Sequence, residues 1–161
     1  MDILLLSALR SMLPLVEARY AIPFAITQGI DPLTALIVCS AANILVMFPV
    51  FLFLDYVHER LLGRRLYSRI SSFFIKRVEP KKDHIEKKMN VYGFFALTLF
   101  VAVPLPVTGA YTGMLIAWLL DLDRKKSMIS IGIGAFTAGI VATVMTLGVK
   151  AMITGLSILL G

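Results

Sequence analysis

Cysteine is almost missing from this 161-residue chain. Cys39 is the only one, which excludes a disulfide scaffold. Histidine is nearly as scarce. His58 and His84 both fall in a basic stretch and form no metal-ligand pair, and the run from His58 to Leu62 lacks the second histidine of a zinc helix. No GxSxG, P-loop or CxxC occurs. These absences predict no enzyme constellation, no metal site and no cofactor. Charge is also sparse: 16% of residues are charged, with ten acidic against sixteen basic.

What is abundant is apolar. Hydrophobic residues make up 58% of the chain, against roughly 45–50% in a soluble domain. Mean hydropathy is +0.86. A soluble fold of this size could not bury that much apolar surface, and a disordered chain needs low hydrophobicity. The composition predicts a single all-α integral membrane domain over residues 1–161.

Ten of the sixteen basic residues lie between Arg60 and Lys88. Clustering beside apolar segments predicts a cytoplasmic loop, residues 56–90, next to anionic lipid in a multi-pass cell-membrane protein. Apolar segments on both sides argue against a nucleic-acid partner. Within the loop, Leu62, Leu66, Ile70 and Phe73 recur at helical spacing with Arg64, Arg65 and Arg69 between them. That pattern predicts an amphipathic helix on the membrane surface; the plainer alternative is a loop that only fixes orientation. Residues 1–18 do not read as a signal peptide, because Asp2 stands where the n-region needs positive charge and Arg10 interrupts the apolar run.

Residues 33–54 and 128–149 are uncharged runs of 22 residues. Each would span about 33 Å as a helix, enough to cross a bilayer core of about 30 Å. Residues 3–30 and 91–120 are too long for one crossing and too short for two. The first contains Pro14 and Pro23; the second is broken by Pro104, Pro106 and Gly109. Each fits a re-entrant helical hairpin; the alternative is a long, kinked spanning helix. The positive-inside rule favours the hairpins, because they place Arg124, Lys125 and Lys126 on the same side as the basic loop. Residues 150–161 are expected to form a C-terminal tail.

A shift of 92 residues superimposes Pro14 on Pro106, Ala18 on Ala110, Ala25 on Ala117, Asp31 on Asp123 and Ile37 on Ile129. The order of broken stretch, acidic turn and spanning helix then occurs twice. With the hairpins dipping from opposite sides, this predicts an inverted repeat.

Ionisable residues at membrane depth are candidate functional groups. Glu17 at the first turn could exchange a proton or hold a cation, with Arg19 pairing with it or meeting an anionic substrate. In the plain alternative the two neutralise each other. Pro23 follows in the same segment. Pro104 and Pro106 end one half-helix, Gly109 is expected to allow a tight turn, and Thr108 to cap the next half-helix. The free N–H groups there would form an anion or polar-substrate site; the alternative is a packed kink. Asn43 is expected to face protein or a cavity, since lipid cannot satisfy its amide. Gly132, Gly134, Ala135, Ala138, Gly139 and Ala142 form a small-residue face suited to close helix packing, the only support the sequence offers for a homodimer.

Two stretches carry a resemblance. One runs from Glu17-Ala-Arg19-Tyr-Ala-Ile-Pro23 through Gly29, Pro32 and Asn43; the other is Phe100-Val-Ala-Val-Pro104-Leu-Pro106-Val-Thr108-Gly109-Ala110-Tyr-Thr-Gly113. Together they resemble the small multidrug export proteins of bacteria and archaea, themselves distantly similar to DedA membrane proteins. The resemblance implies two re-entrant hairpins packed together and a small secondary transporter or flippase, with Glu17 in the acidic role of the first hairpin. The second hairpin here has no arginine, a departure from the DedA pattern. The other readings are a lipid scramblase or lipid-organising protein, a non-transporting scaffold, and a four-helix small multidrug antiporter. The expected partners are membrane lipids and a small-molecule or lipid substrate.

Overall fold

The computed structural model describes residues 2–14, 16–61, 82–104, 108–120 and 122–160. The predicted surface helix around Leu66 and the site candidate Pro106 lie outside the described residues. Among those described, every regular element is helical: α1 (Ile3–Ser11), α2 (Glu17–Thr27), α3 (Pro32–Leu45), α4 (Met47–Leu61), α5 (Lys82–Ala102), α6 (Ala110–Leu119) and α7 (Arg124–Leu160).

The breaks follow proline. Helix α1 stops at Ser11, shortly before Pro14, whose ring disfavours helical backbone in the residue before it. Helix α5 likewise ends at Ala102, two residues before Pro104. Helices α3 and α4 are nearly continuous, parted at Val46. Pro49 lies in the first turn of α4, where its missing N–H and its clash with the carbonyl of Leu45 fall at the junction. Pro23 lies inside α2 without ending it.

Helix α1 is inside-out by soluble standards. Its buried residues are Ser7 and Ser11, while Leu5 and Leu9 are exposed. The serines satisfy themselves by donating to the carbonyls of Ile3 (2.8 Å) and Ala8 (2.6 Å). Small residues facing inward and leucines outward is the pattern of helices that pack in lipid.

Among the described residues, two helices, over Pro32–Leu54 and Arg124–Leu159, are long and apolar enough to cross a membrane. Helix α7 is the axis of the fold. Its 37 residues rise about 55 Å, and it packs against α2, α3, α5 and α6. The close approaches fall at two of the glycines expected to pack. A Cβ on Gly134 would meet the Thr98 carbonyl at 2.7 Å, and one on Gly139 would meet Ser40 Oγ at 3.0 Å. The helix also differs from expectation: the residues taken as a tail from 150 continue it to Leu160. Ala151–Leu160 contains no proline and a helix-compatible apolar run, so nothing stops the helix there. Lys150 donates to the carbonyl of Ile26 at 3.0 Å, a second donor beside the Gly29 N–H in the last turn of α2.

The second broken segment doubles back. Gly93 near the middle of α5 lies beside the side chain of Leu122, which follows α6. Gly113 of α6 and Gly134 of α7 both pack on Val101 of α5. Helices α5 and α6 therefore lie side by side against the same part of α7, not end to end.

The 92-residue correspondence recurs in backbone bonds. Ile30 N–H donates to Ala25 O at 3.0 Å, and Leu122 N–H donates to Ala117 O at 3.0 Å. Gln28 bonds Phe24, and Leu120 bonds Ile116. Asp31 caps α3 by accepting from Thr34 N–H at 2.9 Å, and Asp123 caps α7 by accepting from Lys126 N–H at 2.9 Å. The Thr34 backbone bond holds the exposed Asp31 carboxyl below its ordinary range. Burial keeps the same register: Ala18, Ile22 and Ala25 are buried, and so are Ala110, Met114 and Ala117.

Candidate functional site

The two breaks meet at Glu17 and Arg19. Glu17 opens α2 directly after the first break, and its backbone takes φ +47°, the one positive φ outside glycine among the described residues. A side chain in this left-handed region costs about 1–2 kcal/mol. Such strain persists only where the surroundings hold it, and it concentrates at functional positions.

The strained backbone aims the carboxylate at the start of α6. Glu17 is 7% exposed. Its Oε1 accepts from the Tyr111 N–H at 3.4 Å, and the Ala110 N–H also faces the carboxylate. A Cβ on Gly109 would overlap both carboxylate oxygens. A negative charge is favourable here, because the first N–H groups of a helix lack intrahelical partners and carry the positive end of its dipole.

Arg19 reaches the opposite helix end. Its Nη2 donates to the carbonyls of Val101 (2.9 Å) and Thr108 (2.8 Å), and its Nη1 donates to Thr108 Oγ1 (3.2 Å). Val101 O is among the last carbonyls of α5, where positive charge is favourable. Arg19 Nε stands 3.8 Å from Glu17 Oε2. One acid and one base, a single residue apart, thus neutralise the facing ends of α5 and α6 and each other. The planar guanidinium suits this task, since it presents several donors in a fixed fork.

Two expectations about the second break are corrected. Thr108 does not cap α6: Gly109 is the N-cap, with no side-chain cap bond, and the Thr108 hydroxyl donates to Val103 O at 2.7 Å. The threonine is drawn away because Arg19 and Val103 supply better-placed partners. Nor does Gly109 serve a turn that needs left-handed backbone. Its φ of −79° and ψ of −178° are open to any residue, and what demands glycine is the Glu17 carboxylate lying against it. The N-terminus of α6, expected to receive an anion, holds this one.

The other candidates lie apart from this cluster. Pro104 is exposed beyond α5. Pro23 is half-buried, four residues after Arg19, and its missing N–H would have bonded the Arg19 carbonyl. Asn43 is buried on α3; among the described residues its Oδ1 and the Oγ of Ser40, one turn away, find no hydrogen-bond partner. Arg10 sits over the Phe24 ring at 4.1 Å, a cation–π contact that ties α1 to α2.

Tyr111 was missed by sequence reasoning. Besides its N–H contact with Glu17, its hydroxyl donates to the Met12 carbonyl in the first break. Its position 92 residues after Arg19, the shift that superimposes the two broken stretches in sequence, was the available signal.

These observations define a small helical membrane protein whose two broken segments are joined by a buried acid–base pair. A family profile described as "Putative small multi-drug export protein" matches residues 17–141, and the chain belongs to that family. The match begins at Glu17 itself. No curated protein and no solved structure matches the chain.

Proposed function

We propose that this protein is a small secondary transporter or flippase of the DedA-like type, with its pathway where the two breaks meet. The family's description supports export. The observation that carries the reading is the carboxylate of Glu17 on the N-terminus of α6, held beside Arg19. Here the chain's own carboxylate occupies a site that would equally receive the anionic or polar group of a substrate. Proton uptake by Glu17 removes the charge that α6 and Arg19 hold. The α6 N–H groups, the Thr108–Gly109 turn and Arg19 are then available to substrate. Loss of substrate and proton restores the latch. Coupling follows because carboxylate and substrate compete for the same donors.

In this reading the broken segments are re-entrant hairpins from opposite sides and the halves form an inverted repeat. The return of residue 122 to the level of Gly93 supports the second hairpin, and the matching caps at Asp31 and Asp123 support the repeat. The break between Ala102 and Ala110 weighs against four unbroken spans.

The test uses proteoliposomes carrying two probes: ethidium, followed under a pH gradient, and a fluorescent phosphatidylglycerol, followed with and without one. The transporter reading predicts gradient-dependent movement of at least one probe, abolished by Glu17→Gln in protein that still inserts. Normal movement in that variant would remove Glu17 from the mechanism. Gradient-independent lipid movement would favour a scramblase.

A further inference from the structure

A groove separate from the Glu17 cluster runs along the first half of α7. We propose that the groove between the α3–α4 junction and the first half of α7 binds an anionic phospholipid, one acyl chain in the groove and the headgroup at Arg124–Lys126. The groove measures about 470 Å³. Ile44 and Phe48 form one wall; Ile129, Ile133 and Phe136 form the other. Its one polar side chain, Thr137, donates internally to Ile133 O at 2.8 Å and offers nothing to a polar guest. The interior therefore suits hydrocarbon.

Charge at one end selects the headgroup. Lys125, Ile129, Ile133 and Phe136 lie on a single stripe of α7, so the basic residue precedes the groove lining by one turn. Arg124 stands one turn before Met128 in the same way. The α3–α4 wall runs antiparallel to α7, since Ser40 lies beside Gly139 while Phe48 shares the groove with Ile129. The C-terminal end of α4 thus points toward the same end as Arg124. Basic residues close to a membrane attract anionic lipid. None of the residues in the Glu17 cluster lines this groove, so the inference stands independently of the transport reading.

Gly132 provides the test. It lines the groove, and a Cβ built on it meets nothing within 4 Å. Gly132→Phe fills the space from a position that tolerates a side chain. The full-length protein is purified in detergent and offered phosphatidylglycerol or phosphatidylcholine of identical chains, and retained lipid is counted by native mass spectrometry. Wild type is expected to retain phosphatidylglycerol in preference. Gly132→Phe should lower retention of both lipids. Replacing Arg124, Lys125 and Lys126 together by Gln should lower phosphatidylglycerol alone, by about tenfold or more. Ile133→Trp replaces Gly132→Phe if circular dichroism shows that the latter is misfolded. Equal retention of the two lipids by wild type, or retention unchanged by groove filling, overturns the proposal. So does a dimer that groove filling dissociates while lipid retention stays constant, which would assign the groove to a second copy.

Discussion

The carboxylate of Glu17 lies against Gly109, and these two residues are 92 positions apart in the chain. The acid of one break is seated on the helix that leaves the other. This contact fixes how the breaks meet and explains why residue 109 carries no side chain.

Gly109→Ala should therefore be costly although its backbone permits alanine. Overpacking of this kind costs about 1–3 kcal/mol, read as a lower Tm in detergent. In a Glu17→Ala background the same change should cost little, because the obstructing carboxylate is gone. Gly148→Ala is the control: its Cβ meets open space within a helix, so alanine should be neutral or stabilising by about 0.5–1 kcal/mol.

Arg19→Lys should behave as a loss, not a conservative exchange. An ammonium cannot serve Val101 O, Thr108 O and Thr108 Oγ1 together from one planar fork. Arg19→Ala leaves Glu17 buried without its counter-charge, and breaking such a pair typically costs about 3–5 kcal/mol. The double variant Arg19→Ala with Glu17→Ala should be more stable than Arg19→Ala alone. Additive losses in that cycle would show that the pair is not coupled.

Tyr111→Phe removes the hydroxyl that reaches the Met12 carbonyl but keeps the backbone N–H that serves Glu17. The expected loss is about 1 kcal/mol, with probe movement in proteoliposomes retained. Abolished movement in a folded variant would instead make the hydroxyl part of the pathway.

Much of this arrangement was legible in the sequence, for identifiable reasons. Proline marks backbone breaks directly, so the interruptions near Pro14 and Pro104 could be placed. Long uncharged runs marked the two helices long and apolar enough to cross a membrane, and the acidic residues before them proved to be caps. The site was legible by residue type: Glu17 and Arg19 stand out because ionisable groups are costly in lipid. Their partners were not legible, since nothing in one dimension says that Glu17 would take the α6 N-terminus itself or that Arg19 would draw Thr108 from its cap. Those outcomes depend on contacts across some ninety residues. The length of α7 was misjudged for the opposite reason: a polar Lys150 reads as a helix end, while a long side chain bonding Ile26 O lets the helix run past it.

The central claim is that the segment around Pro104 enters and leaves the membrane on one side, so that its break meets the first within the bilayer. Side-specific labelling of single cysteines tests it most directly. Cys39 is replaced by Ser, and cysteine is placed at Lys82 or at Lys126, before and after the broken segment. The account predicts that an impermeant thiol reagent reaches both positions from the cytoplasmic side only. Labelling from opposite sides would mean that residues 91–120 cross the membrane, and the paired-hairpin account would fail.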